Sequence, residues 1–362
     1  MNSDQKVKFE TVLVMQGGGS LGAYECGVYK ALAKHEIKFD VVAGTSIGAI
    51  NAAVIVGTRN DDPARDLEDF WLTLAEKVTP TFLPDGMRAI FSATYAATWG
   101  NPNAFTPKWL MPSIDYFFPH MWSYLYDIAP LKNTLTSFVD FTKLNNPARP
   151  RLIVTSTDIR NSEPVTFDSN YMNIDADHLL ASAGFPFYGI KWTEKDGRYL
   201  WDGSLLSNTP LREVINASPQ RDKKVYIVNL FPRKHDELPI SMAEVLHRAR
   251  DIMHTDKTYH NVKMSKIISR YLILLKEMHD IIMHFFDNQE LENETKERIL
   301  KIEPEYHKLA CERGAIIKEI IRIERREESH FLFEDADFSV ATVKQLIRQG
   351  QDDAENILAK KK

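Results

Sequence analysis

Cysteine is almost missing from this chain: Cys26 and Cys311 are the two in 362 residues, and neither sits in a CxxC or Cys/His cluster. That excludes a disulfide framework and a zinc site as organising features and fits a reducing compartment. A strong charge of one sign is missing as well. The net charge of −5 leaves no basic field for nucleic acid, although it is compatible with a local patch facing a membrane. Long apolar runs are absent: the uncharged stretch of residues 41–58 is short for a membrane span and carries Gly44, Ser46, Gly48 and Asn51. The opening "MNSDQKVKFE" lacks the basic-then-apolar order of a signal peptide, which points to the cytoplasm, with peripheral attachment to a lipid surface or export by a signal-free route both compatible. No period of twenty to fifty residues repeats. What is present is a chain that is 44% hydrophobic and long enough for a sizeable core.

The first sixty residues alternate strand and helix signals: "TVLVMQ", then "LGAYECGVYKALAKHEI", then "FDVVAGT", then "IGAINAAVIVG". This βαβα opening predicts an α/β fold with a parallel sheet. Further strands are expected at "RLIVTSTDI", "EPVTFDS", "RYLWDG" and "KVYIVNLF". Residues 78–130 hold twelve aromatics among many prolines, an insertion that packs its own small core or walls a site. After the linker "PRKHDELP" the chain reads as almost wholly helical, with glycine only at Gly314 and Gly350. Within it Met264, Ile268, Tyr271, Leu275, Met278, Ile282 and Phe285 recur at spacings of four and three, widened by Ile267, Leu274 and Ile281. Such a stripe is expected to be buried, against the rest of the chain, a second copy or a membrane surface. The expected division is 9–232 for an α/β catalytic domain and 240–362 for a helical region.

Two glycine patterns carry chemistry. In "VLVMQGGGSLG", Gly17, Gly18 and Gly19 follow a strand, which suits a phosphate cradle, an oxyanion loop or a tight turn. There is no Lys-Ser/Thr for a P-loop. A formal GxGxxG at Gly17, Gly19 and Gly22, with Asp40 as the ribose acid, is followed almost at once by a serine elbow. That elbow is "GTSIG", Gly44 to Gly48, at a strand-to-helix junction where the turn exposes Ser46 and flanking glycines let helix and sheet approach. A serine hydroxyl needs a base, and the oxyanion of an attacked ester needs aligned donors. Backbone N–H groups of Gly18 and Gly19 can supply the donors. Asp202, beside Gly203 at the end of a strand in "GRYLWDGSLLSNTP", is a candidate base, or else an ordinary Asp-Gly turn.

"QGGGSLGAYECGV", "GTSIGAINAA", "ASAGFPFYG" and "WDGSLLSNTP", in that order, resemble the patatin-like phospholipases over roughly residues 9–232. The resemblance implies a three-layer α/β/α hydrolase domain with a mainly parallel central sheet. It also implies a Ser-Asp dyad working without histidine, metal or cofactor: Ser46 as nucleophile, Asp202 as base, and Gly17, Gly18 and Gly19 lining the oxyanion loop, with Gly44 and Gly48 framing the elbow. The implied activity is cleavage of fatty-acyl esters through an acyl-enzyme, with a lipid or membrane surface as substrate and no nucleic-acid partner. Two positions depart from the pattern: Leu21 stands where many members carry a basic residue, and Ser204 where Gly or Ala is commoner. Leu21 leaves the headgroup, and hence the lipid class, open. The competing readings are a Ser-His-Asp esterase using His178, His247 or His254, and a catalytically silent lipid-surface protein. The C-terminal helices have no role assigned by the resemblance and are a candidate surface for self-association.

Overall fold

The "VLVM" run is apolar at every position, as a strand covered on both faces must be. In the computed structural model it forms β1 (Glu10–Met15), with Leu13 and Met15 in one core and Val12 and Val14 in the other. The structure describes residues 9–75, 85–111, 117–217, 221–234, 238–287, 292–312, 315–326 and 334–360. Beside β1 lies β2 (Val41–Thr45), and a two-residue ribbon of β3 (Thr106–Pro107) and β4 (Tyr126–Asp127) stands apart in the insertion. The main sheet continues with β5 (Arg151–Asp158), β6 (Glu163–Asp168), β7 (Thr193–Lys195), β8 (Arg198–Asp202), β9 (Lys223–Asn229) and β10 (Ile317–Glu324). Its order is β10-β9-β1-β2-β5-β8-β7, with β6 on the other edge of β5; β10, β9, β1, β2 and β5 are parallel and the rest antiparallel.

Helices cover both faces, so the three-layer α/β/α expectation holds. One layer holds α1 (Gly22–Lys34), α2 (Ile47–Val56) and α3 (Pro63–Ala75), whose buried residues share the larger core with Leu13 and Met15. The insertion supplies α4 (Asp85–Trp99), followed by α5 (Ala129–Phe138), α6 (Phe141–Leu144) and α7 (Ala176–Ala183). On the opposite face Leu211 and Val214 of α8 (Leu211–Asn216) and Val262 of α9 (Met242–Asp287) pack on Val12, Val41 and Val225. The insertion does pack rings of its own: Phe105 and Trp109 both meet Tyr126 edge-on. Its Phe82 and Tyr116 lie outside the described residues.

The C-terminal region is mainly helical, with α9, α10 (Asn293–Tyr306) and α11 (Val340–Ala359), but it also holds β10. The helical reading missed this strand because "IKEIIRIE" mixes its β-branched residues with Lys318, Glu319, Arg322 and Glu324. Such charge belongs to the outermost strand of a sheet, which has one neighbour and a wet face. The apolar stripe of α9 is the second correction. Met264, Ile268, Tyr271, Leu275, Met278 and Phe285 are exposed, and the helix turns inward Asp251, Thr258, Val262, Ser269 and Leu272 instead. At about 1.5 Å per residue, 46 residues of helix outrun a sheet whose strands are three to eight residues long, so much of α9 has no layer to cover. No helix among the described residues is long and apolar enough to cross a membrane.

Candidate active site

The sheet itself brings Ser46 and Asp202 together. Strand β2 pairs with β5 only as far as Thr45 opposite Thr155, which leaves the same edge of β5 free from Ser156 onward. Antiparallel β8 fills that edge and ends with Asp202 opposite Ser156. Asp202 therefore lands one step beyond the last residue of β2, where the chain turns at Ser46. Side chains lock the junction: Thr45 Oγ1 donates to Ser207 O (2.7 Å), and Thr157 Oγ1 donates to Asp202 O (3.0 Å).

Ser46 is held at φ 56°, ψ −128°, a conformation that a non-glycine residue adopts at a cost of about 1–3 kcal/mol. The turn is compressed because Gly44 and Gly48 touch: a Cβ on Gly44 would stand 2.2 Å from the Gly48 carbonyl carbon. Ser46 N–H donates to Ser182 Oγ (2.9 Å), whose hydroxyl donates to Thr155 O (2.6 Å), so α7 pins the elbow to β5. Asp202 is 1% exposed. Its Oδ1 accepts from Ser204 N–H (2.7 Å), while Oδ2 has no hydrogen-bond partner among the described residues. Burial raises the carboxyl from 3.8 to about 6, against the opposing influence of Ser46 and Ser204. The Ser46 hydroxyl is thus near enough to favour the charged carboxylate without closing a well-formed bond to Oδ2.

The three glycines of the loop face three different parts of the chain. A Cβ on Gly17 would lie 2.5 Å from Asn208 Oδ1 and 2.9 Å from Ser46 Cβ; on Gly18, 2.7 Å from Leu230; on Gly19, 2.4 Å from the Asp335 carbonyl oxygen. Gly19 is also at φ 58°. The N–H of Gly17 is committed to Asn208 O (3.2 Å), and Asn208 Nδ2 donates back to Gly17 O (3.2 Å). The N–H groups of Gly18 and Gly19, at the start of a single helical turn, have no acceptor among the described residues. Such groups are left over at any helix start.

Beneath the loop lies a buried polar network that the sequence reading passed over. Glu25 accepts from Gln16 N–H (2.7 Å) and from Asn51 Nδ2 (2.8 Å), and Asn51 Oδ1 accepts from the Trp71 indole (3.0 Å). Gln16 Oε1 in turn accepts from Leu230 N–H (2.7 Å). The loop, the elbow helix and β9 are tied through these side chains, and burial lifts Glu25 to about 8. A carboxylate inside the otherwise small and apolar "GAYECGV" was the available signal.

The proposed histidines are placed elsewhere. His178 caps α7, with Nδ1 accepting from Asp175 N–H (3.1 Å) and Nε2 facing Asp196 (3.1 Å). His247 faces Asp251, and His254 stacks on Phe231, 4.9 Å between centroids. No histidine among the described residues is a hydrogen-bond partner of Ser46 or Asp202. Asp40 lies at the start of β2, where its Oδ2 accepts from Thr11 N–H (2.8 Å), at the opposite end of the sheet from the glycine loop, so it cannot serve a nucleotide there.

A family model described as patatin-like phospholipase matches residues 13–215. Among individual proteins, the chain is 46% identical over 50 residues to a triacylglycerol lipase, SDP1L, of Arabidopsis thaliana, covering 14% of this chain and 6% of that one. It is 44% identical over 57 residues to a patatin-like phospholipase domain-containing protein of Coccidioides immitis, covering 16% and 8%. The overlap is thus less than a tenth of each curated relative's length. Of solved structures, VipD from Legionella pneumophila aligns over 98% of this chain and 67% of its own at 14% identity and TM-score 0.41. Human GIVD cytosolic phospholipase A2 aligns over 67% and 45% at 14% identity and TM-score 0.36.

Proposed function

The chain belongs to the patatin-like phospholipase family, and we propose that it is a serine lipid acyl hydrolase whose residues 9–232 form the catalytic unit and use Ser46 and Asp202 as a dyad. The observation that carries this reading is the unpaired, buried Asp202 Oδ2 beside a Ser46 held at positive φ. In the first step Asp202 accepts the Ser46 proton as the hydroxyl oxygen attacks the ester carbonyl. A base lifted to about 6 is still ionised at neutral pH and is better matched to the transfer than an ordinary aspartate. The oxyanion takes hydrogen bonds from Gly18 and Gly19 N–H, with the positive end of α2, which starts at Ile47, adding to the field. The proton passes to the leaving alcohol, which departs and leaves an acyl-Ser46. Water, deprotonated by Asp202, then releases the fatty acid. Nothing in this sequence of steps calls for a metal or cofactor.

The substrate is an acyl ester presented at a lipid surface, which the protein meets as a peripheral visitor. Exposed Leu206, four residues past Asp202, and Phe187, 76% exposed on the loop after α7, support that approach. Fatty-acid release from a panel of defined phospholipids, lysophospholipids and glycerides tests the reading. Wild type should hydrolyse at least one class and label with a fluorophosphonate, whereas Ser46→Ala and Asp202→Asn should retain less than about a thousandth of the rate. Retained activity in Asp202→Asn together with its loss in His254→Ala would replace the dyad by a histidine-based mechanism. Folded wild type that neither labels nor hydrolyses would leave a lipid-binding protein.

A further inference from the structure

The glycine loop is met from outside by Asp335, which is held in turn by Tyr188 and Arg250, both far from it in sequence. Asp335, in the short turn Glu334–Ala336, lays its carbonyl oxygen against Gly19, at the one point where a Cβ would stand 2.4 Å away. Its carboxylate is buried, with Oδ1 on Arg250 Nη1 (2.8 Å) and Oδ2 accepting from the Tyr188 hydroxyl. Burial alone would raise Asp335; the Arg250 guanidinium holds it below the ordinary carboxylate range. Arg250 also faces Asp251 (3.0 Å) and lies over the ring of Phe231, the neighbour of the Leu230 that meets Gly18. The following chain is fixed too. Asp337 accepts from Ser339 N–H (2.9 Å) and Thr342 Oγ1 (2.6 Å), and α11 then crosses α1 so closely that a Cβ on Gly350 would stand 2.0 Å from Tyr24 O. Because α1 begins directly after the glycine loop, the C-terminal region holds the loop and the helix it leads into.

We propose that Tyr188, Arg250 and Asp335 are positioning residues that clamp the glycine loop in the geometry that presents the Gly18 and Gly19 N–H groups to Ser46. The inference rests on the acyl-hydrolase reading and extends it: the oxyanion site is completed by chain beyond residue 232. A buried ion pair is a poor device for stability alone, since an apolar replacement of the same volume usually does as well. Its use here, fixing the residue whose carbonyl oxygen meets Gly19, serves placement. Donors that must meet an oxyanion lose their effect when displaced by an ångström or less.

The test measures the rate of Ser46 acylation by a fluorophosphonate, and kcat and KM on a soluble p-nitrophenyl ester, for full-length wild type, Asp335→Asn, Arg250→Met, their double variant, Arg250→Lys and Tyr188→Phe. Asp335→Asn and Arg250→Met should each lower acylation and kcat by about 10- to 100-fold with KM within about twofold. The double variant should be no worse than either single one, because the pair acts as a unit, and Arg250→Lys should recover part of the loss. Acylation within twofold of wild type in both singles, a loss confined to KM, or additive losses would overturn the clamp while leaving the acyl-hydrolase reading intact. If circular dichroism shows that the charge variants do not fold, Tyr188→Phe decides, with a kcat loss of about threefold or more expected and a wild-type kcat overturning the clamp. Absence of labelling in wild type would instead sink the acyl-hydrolase reading and the clamp with it.

Discussion

The stretch from Met15 to Val56 and the helix α9 differ in how they use apolar residues. In the first, glycines touch backbone or side chains from distant segments, and polar groups such as Gln16, Glu25 and Asn51 are buried with partners. In the second, a periodic apolar stripe stands in solvent while Asp251, Thr258 and Ser269 face inward. The difference teaches that periodicity fixes which residues share a face, but not which face is covered. Only the neighbours decide that.

The comparison breaks most readily at the loop. Gly17→Ala would drive a methyl group into Asn208 and Ser46, so hydrolysis should fall about 100-fold or more, read as the initial rate of fatty-acid release. Next is pH, which moves activity and stability in opposite directions at one carboxyl. Because Asp202 is raised from 3.8 to about 6, protonation removes the base, and the rate should fall about tenfold per unit below about pH 6. Stability should run the other way. The folded state binds this proton more tightly than the unfolded chain, so the Asp202 contribution is fully present below about 4 and is lost as the pH rises through about 6. Asp202→Asn should therefore melt higher than wild type at pH 8, by up to about 3 kcal/mol in denaturant titrations.

Smaller in effect is Glu25→Gln. Above about pH 8, where Glu25 is ionised, its two oxygens accept from Gln16 N–H and Asn51 Nδ2, and the NH2 of the amide would face one of these donors, so unfolding should become easier there by about 1–3 kcal/mol. The smallest effect belongs to α9. Leu274 and Ile281 are 53% and 59% exposed, and replacing both by serine should shift the unfolding midpoint by no more than about 0.5 kcal/mol per site. A larger loss that depends on protein concentration would show that a second copy covers the stripe. Loss of vesicle binding with unchanged stability would place a lipid surface there.

Much of the candidate site was legible because the backbone turns it relies on depend on local spacing. A glycine run after a strand, a GxSxG at a strand-to-helix turn and an Asp-Gly at a strand end each state a backbone conformation, and Ser46 at φ 56° and Gly19 at φ 58° are those conformations. The parallel α/β sheet followed from the βαβα opening in the same way, whereas the three-layer arrangement came from the family resemblance. What was not legible depends on pairing across distance. Strand β10 carries too much charge to be recognised away from the sheet edge it occupies, and Tyr188, Arg250 and Asp335 carry no shared pattern in sequence.

The sequence by itself determined where the chain must turn tightly and which serine a helix would present, because sterics and hydrogen bonding act over a few neighbouring residues. The tertiary structure alone decided that β2 stops at Thr45 and antiparallel β8 delivers Asp202 into the gap, and that Asp335 closes the far side of the loop. These are matters of register and packing between segments separated by some 150 to 300 residues. Their energies arise only once the whole sheet is assembled.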